Sequence, residues 1–190
     1  MMEWKKEAKR LIRPFVRLFS FLPPNLVTLL GFLLVLSGCW FVYSGRYRPG
    51  GWIILLGGLF DTLDGEIARY RKRETRFGAF LDSTLDRYAE FFIIIIAGLS
   101  ASALIPALFA LLGSYLTSYT RARAEGLGVK DIARGLFQRP ERFFILVIGL
   151  LIGGEAIRWS LIVVAVGANI TALQRIYWVW KTLKKGGENG

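Results

Sequence analysis

The chain reads as an all-α integral membrane protein: six transmembrane helices preceded by an amphipathic helix that lies along the membrane surface. Three observations predict this. The hydrophobic fraction is 54% and the mean hydropathy +0.44 over 190 residues, too apolar for a soluble domain of this size. The apolar residues come in long runs separated by short basic segments. And 22 of the 25 Lys and Arg fall on one side of the membrane once those runs are laid out as spans, leaving Arg46, Arg48 and Arg158 on the other.

Residues 1–22 form the surface helix. Lys5, Lys6, Lys9, Arg10, Arg13 and Arg17 alternate with Trp4, Leu11, Ile12, Phe15, Val16 and Phe19, a basic amphipathic pattern rather than a cleavable signal. Pro14 predicts a kink within it, and Pro23-Pro24 ends it and opens the first span. A six-helix transmembrane domain then occupies 23–185, with spans at 25–43, 51–70, 78–99, 104–121, 140–152 and 158–180, and a flexible tail follows at 186–190. Gly45 with Pro49-Gly50-Gly51, the stretch 100–106, and Gly153-Gly154 punctuate the hairpins. The fifth span is short, so it tilts or starts before Pro140. Under the positive-inside rule both termini and the two long loops are cytoplasmic, as an even number of spans requires.

Composition removes several function classes. The net charge is +11, but the basic residues sit at the ends of apolar runs, where anionic lipid headgroups lie, not along a soluble nucleic-acid face. The single cysteine, Cys39, lies inside an apolar run, so there is no disulfide framework and no cysteine zinc site. Histidine is absent, so a general base must be a carboxylate or a less common group.

The chemistry concentrates in the second and third spans. Asp61 and Asp64 share one helix face with Ala68, and Gly65 borders it. Gly78, Asp82 and Asp86 share a face at four-residue spacing. The two spans are antiparallel about the basic loop 70–77, so the four carboxylates meet at one depth near the cytoplasmic surface. Four such groups repel each other and are costly near lipid unless a cation neutralises them. Oxygen-only ligands suit Mg2+ or Mn2+, and Asp61, Asp64, Asp82 and Asp86 together can hold two ions for phosphoryl chemistry. Gly65, Ala68 and Gly78 leave room for a ligand, and Arg69 presents a planar fork to a phosphate. A divalent-cation transporter is the competing class, since intramembrane carboxylates also line ion paths.

The run Asp61-x2-Asp64-Gly65-x2-Ala68-Arg69-x8-Gly78-x3-Asp82-x3-Asp86 resembles the full signature of the CDP-alcohol phosphatidyltransferases, with all eight residues at the family's spacing. The resemblance implies a six-helix membrane homodimer whose site faces the cytoplasm. It implies that the first three Asp ligate metal and that Asp86 is the base, touching a metal as well. It also implies a CDP site at Gly65, Ala68, Arg69 and Gly78, with Thr75, Asn25 and Thr28 as further contacts.

A second set, Ser118–Glu125, Arg139-Pro140-Glu141-Arg142 and Gln174-Arg175, resembles the inositol-phosphate-using branch of that family. By position, Arg121, Arg142 and Arg175 then bind the acceptor phosphate, and a phosphorylated acceptor indeed calls for several convergent cations. Arg123 and Arg139 read more as structural, and Glu125 and Glu141 as ion-pair partners of the arginines. The expected reaction moves a phosphatidyl-type group from a CDP-activated lipid to inositol 1-phosphate. Glycerol 3-phosphate as acceptor, or CDP-inositol as donor, are the alternatives within the same chemistry.

Overall fold

In a computed structural model of the protein, the structure describes residue 14 and residues 16–129 and 135–187. Six long helices are found among them: α1 (Pro24–Tyr43), α2 (Tyr47–Tyr70), α3 (Arg76–Ser100), α4 (Leu104–Gly126), α5 (Arg139–Ile152) and α6 (Glu155–Gly187). No strand occurs among the described residues.

The ends of these helices follow local chemistry. Pro24 opens α1, where its missing N–H costs nothing. The Thr75 hydroxyl caps α3 by accepting from Gly78 N at 2.9 Å. Gly45 (φ 77°) turns the chain between α1 and α2, and Gly153 (φ 83°) followed by Gly154 (φ 58°) turns it between α5 and α6. Helix α5 starts at Arg139, one residue before Pro140, and its 14 residues span only about 21 Å. Helix α6 continues past Trp180, the expected end of the last span, to Gly187, just inside the expected tail at 186–190.

By length and hydropathy alone, Pro24–Tyr43 and Glu155–Lys184 qualify as membrane spans. The others fall short for visible reasons: α2 and α3 carry the acidic constellation, α4 ends in Arg121 and Arg123, and α5 is short.

Helices α1 and α2 pack backbone to backbone. A Cβ on Gly38 would sit 2.8 Å from Gly50 O, and one on Gly57 would sit 2.8 Å from Gly31 O. Small residues at a helix crossing allow this approach, which is how apolar helices associate without a hydrophobic driving force. The main core lies in the half of the bundle away from the acidic residues. It is built from Val35, Cys39, Val42, Ile54, Ile93, Ile94, Leu146, Leu150, Leu161 and their neighbours.

The surface helix expected over 1–22 lies mostly outside the described residues. Of its last part, Val16 is buried, and Phe19 and Leu22 pack with it on Val27, Leu63, Ile67 and Phe60. Arg71 Nη1 donates to Leu22 O at 3.1 Å, fastening this stretch to the α2–α3 turn.

Candidate active site

Asp61 and Asp64 sit one turn apart on α2, and Asp82 sits on the first turns of α3, facing them. One carboxylate oxygen from each of these three lies within 4.8 Å of the others. Asp64 is buried, and its Oδ2 has no hydrogen-bond partner among the described residues. Three converging carboxylates, one with an orphaned buried oxygen, form an oxygen-only donor set that a hard divalent cation would satisfy. The residues fit such an ion.

Asp86, one turn further along α3, is buried beside Asp61 and feels the charge of Asp82, but is not among the three whose oxygens all converge. Its carboxylate is ion-paired with Arg139, whose Nη1 also bonds Asp61 Oδ2 at 2.8 Å. Arg87 Nη2 lies 3.5 Å from the other Asp86 oxygen. Arg139, read from sequence as structural, is thus part of the site.

Beside the trio an open cleft of about 600 Å³ runs between the starts of α1 and α3 and the end of α2. Asn25, Thr28, Gly65, Ala68, Arg69, Thr75 and Gly78 all line it, together with Asp64 and Asp82. The fold thus gathers into one cavity every residue expected to contact the CDP group. Gly78 matters for its lack of a side chain: a Cβ there would lie 2.9 Å from Thr75 Oγ1 and 3.1 Å from Asn25 Oδ1. Arg69 is half-exposed at the rim and paired to Glu66 at 2.8 Å, a surface pair that a phosphate can displace.

The three arginines expected at the acceptor have different surroundings. Arg121 is exposed and paired with Glu125 at 2.8 Å, as read from sequence. Arg175 is buried, donates to Thr117 O, and is close enough to Arg121 and Arg142 to feel both charges. Arg142 is occupied otherwise. It is 1% exposed, its Nε and Nη2 are closed on Glu90 at 2.7 and 3.1 Å, and its Nη1 bonds Phe137 O at 3.0 Å. Its sequence neighbour Glu141 is not its partner. Glu90, one turn beyond Asp86, went unread, although the Asp82, Asp86, Glu90 spacing of four was there to see.

Residues 21–173 match the CDP-alcohol phosphatidyltransferase family over most of the chain. The chain belongs to the CDP-alcohol phosphatidyltransferase family. It is therefore a transferase of substituted phosphate groups, and its apolar helices accord with that family's membrane-embedded fold. The matched segment contains every acidic and cleft residue described above; Arg175 lies just beyond its end.

Among relatives, an archaetidylinositol phosphate synthase of Methanothermobacter thermautotrophicus is 38% identical over 96% of this transferase and 95% of its own length. A crystal structure of Mycobacterium tuberculosis phosphatidylinositol phosphate synthase with CDP-DAG bound superposes with a TM-score of 0.81 at 31% identity, covering 90% of this chain and 94% of that one. The same enzyme in complex with manganese and citrate gives 0.80 at 32% identity, covering 88% of each chain.

Proposed function

We propose that this transferase moves a phosphatidyl-type group from a CDP-activated lipid to inositol 1-phosphate, releasing CMP. The observation that carries this reading is the adjacency of the Asp61–Asp64–Asp82 trio to a cleft lined by all seven expected CDP contacts. Relatives named for inositol phosphate lipids support the acceptor.

In this reading the cytidine and its diphosphate lie along Asn25, Thr28, Gly65, Ala68, Thr75 and Gly78, with Arg69 at the rim. Asp61, Asp64 and Asp82 would hold Mg2+ or Mn2+, and two ions if Asp86 also takes part. Bound there, divalent ions would neutralise the donor diphosphate and stabilise charge developing on it. Asp86 accepts the proton of the acceptor hydroxyl. The freed oxygen bonds to the lipid-side phosphorus as the bond to the CMP oxygen breaks, and CMP leaves with that electron pair. Arg121 and Arg175 make the direct contacts to the acceptor phosphate. Arg142 contributes its charge from inside the bundle while its ion pair with Glu90 holds α5 against α3.

The finer membrane assignment belongs to the same reading. The six helices cross the bilayer, residues 1–22 lie on its surface, and 23–185 form one catalytic domain. Both termini and the site face the cytoplasm, on the side that carries the basic residues. The homodimer is taken from the resemblance.

The test is CMP release from a CDP-lipid by the purified enzyme in detergent or nanodiscs. Release should depend on inositol 1-phosphate. Equal rates with free inositol or glycerol 3-phosphate would defeat the acceptor assignment and leave the family reaction standing.

A further inference from the structure

Arg139 bridges two of the four carboxylates. One of its terminal nitrogens bonds Asp61 Oδ2 at 2.8 Å and the other is paired with Asp86. Asp61 also belongs to the converging trio, whereas Asp86 does not. The acidic constellation thus has two halves: a trio with an orphaned oxygen on Asp64, and an Asp61–Asp86 pair already spanned by a cation of the protein's own.

Arg139 is held there by its own helix. One turn further along α5, Arg142 is locked on Glu90, one turn beyond Asp86 on α3. The two acid–arginine pairs stack as rungs between the helices, and the buried rung sets the register of the outer one. Pro140 next in the chain opens α5 and gives Arg139 a fixed departure point.

We infer that Arg139 is the resident cation of the Asp61–Asp86 half of the site, and that a second divalent ion binds there only by displacing it. This rests on the reading of the trio as a metal site. A guanidinium and a divalent ion at the same two carboxylates repel each other strongly at contact distance, so they compete rather than share. The first ion, at the trio, meets Arg139 only through Asp61, the carboxylate the two halves share. Binding of the second ion is thereby weakened, and Asp86 is kept off the metal until Arg139 moves.

The test is Mn2+ binding to the full-length enzyme in detergent, read by paramagnetic resonance of the free ion, without lipid or acceptor. Wild type should show one tight class of site, lost in Asp64→Asn, and a weaker second class. Arg139→Gln should tighten the second class by about tenfold or more and the first, which shares only Asp61 with it, by distinctly less. Adding Asp86→Asn to Arg139→Gln should reverse the gain. Should Arg139→Gln fail to fold, Arg139→Lys serves, because a single ammonium cannot reach two carboxylates through separate nitrogens; it should tighten the second class by at least about threefold. Unchanged or weaker second-class binding in the folded variant overturns the inference. Absence of any Asp64-dependent Mn2+ binding overturns instead the metal reading on which it rests.

Discussion

Arg142 grips Glu90 with two nitrogens at once, Nε on Oε1 at 2.7 Å and Nη2 on Oε2 at 3.1 Å, in a place where the arginine is 1% exposed. Buried charges survive only when paired and fully bonded, and here the remaining terminal nitrogen also finds Phe137 O. Removing either partner strands the other. Glu90→Leu or Arg142→Met alone should each cost about 3–5 kcal/mol, whereas the double variant should cost distinctly less than their sum. Thermal melts of the detergent-solubilised enzyme measure this. Additive losses would show that the two residues do not act as a pair.

Metal dependence follows from the trio. Asp61→Asn, Asp64→Asn and Asp82→Asn each remove an anionic oxygen from a shared donor set and should abolish most turnover. EDTA should stop CMP release, and Mg2+ or Mn2+ should restore it. Undiminished release in chelator would end the metal mechanism.

Asp86→Asn should lower kcat by about 10²–10⁴-fold with little change in donor affinity, the pattern of a lost general base. The informative comparison is a nucleotide-binding titration run beside the kinetics. If CDP affinity collapses together with kcat, Asp86 serves the donor rather than the proton.

The acceptor arginines should separate from the donor kinetically. Arg121→Ala and Arg175→Ala should raise the KM for inositol 1-phosphate roughly ten- to hundredfold, the equivalent of one or two charge-assisted hydrogen bonds each. The KM for the CDP-lipid should hardly move, since its proposed contacts line a cleft that includes neither arginine. The reverse split, donor KM rising and acceptor KM constant, would reassign both residues.

Gly78→Ala tests the donor cleft. The added methyl would press on Thr75 Oγ1 and Asn25 Oδ1, at 2.9 and 3.1 Å, where the CDP group is proposed to lie. The KM for the CDP-lipid should rise while the acceptor KM stays near wild type; a variant with wild-type donor KM would place the nucleotide elsewhere.

Much of the helical layout was readable from apolar runs and their punctuation, because Pro24, Gly45, Thr75 and the Gly153-Gly154 pair act on their own few neighbours. The trio and its cleft were legible for a related reason: a fixed spacing on two antiparallel helices joined by a short loop leaves few ways to arrange the side chains. What escaped depended on distant partners. Arg139 meets Asp61 across 78 positions and Arg142 meets Glu90 across 52, and nothing local in Arg-Pro-Glu-Arg says which arginine turns to the site and which to the core. The roles weighed for those two arginines therefore differ from their surroundings in the fold. Helix α6 runs past Trp180, where the last apolar span was expected to end, because Lys181 and Lys184 suit a helix surface beyond the apolar stretch. The Lys181 and Lys184 ammonium groups lie over the Trp178 and Trp180 rings.

The glycine crossing of α1 and α2 constrains how sequences of this kind can vary. Gly31 faces Gly57 and Gly38 faces Gly50, and a methyl group on any of the four would come within 3.0 Å of a carbonyl oxygen of its partner glycine. A larger residue at one position cannot be accommodated by a smaller one opposite, because what stands opposite is already glycine and the obstacle is backbone. A homologue carrying alanine there must have moved the two helices apart. Thr28 on α1 and Asp64 on α2 face the same cleft, so that separation would also widen the proposed nucleotide site. Substitution at these four distant glycines should therefore track with altered donor preference among relatives.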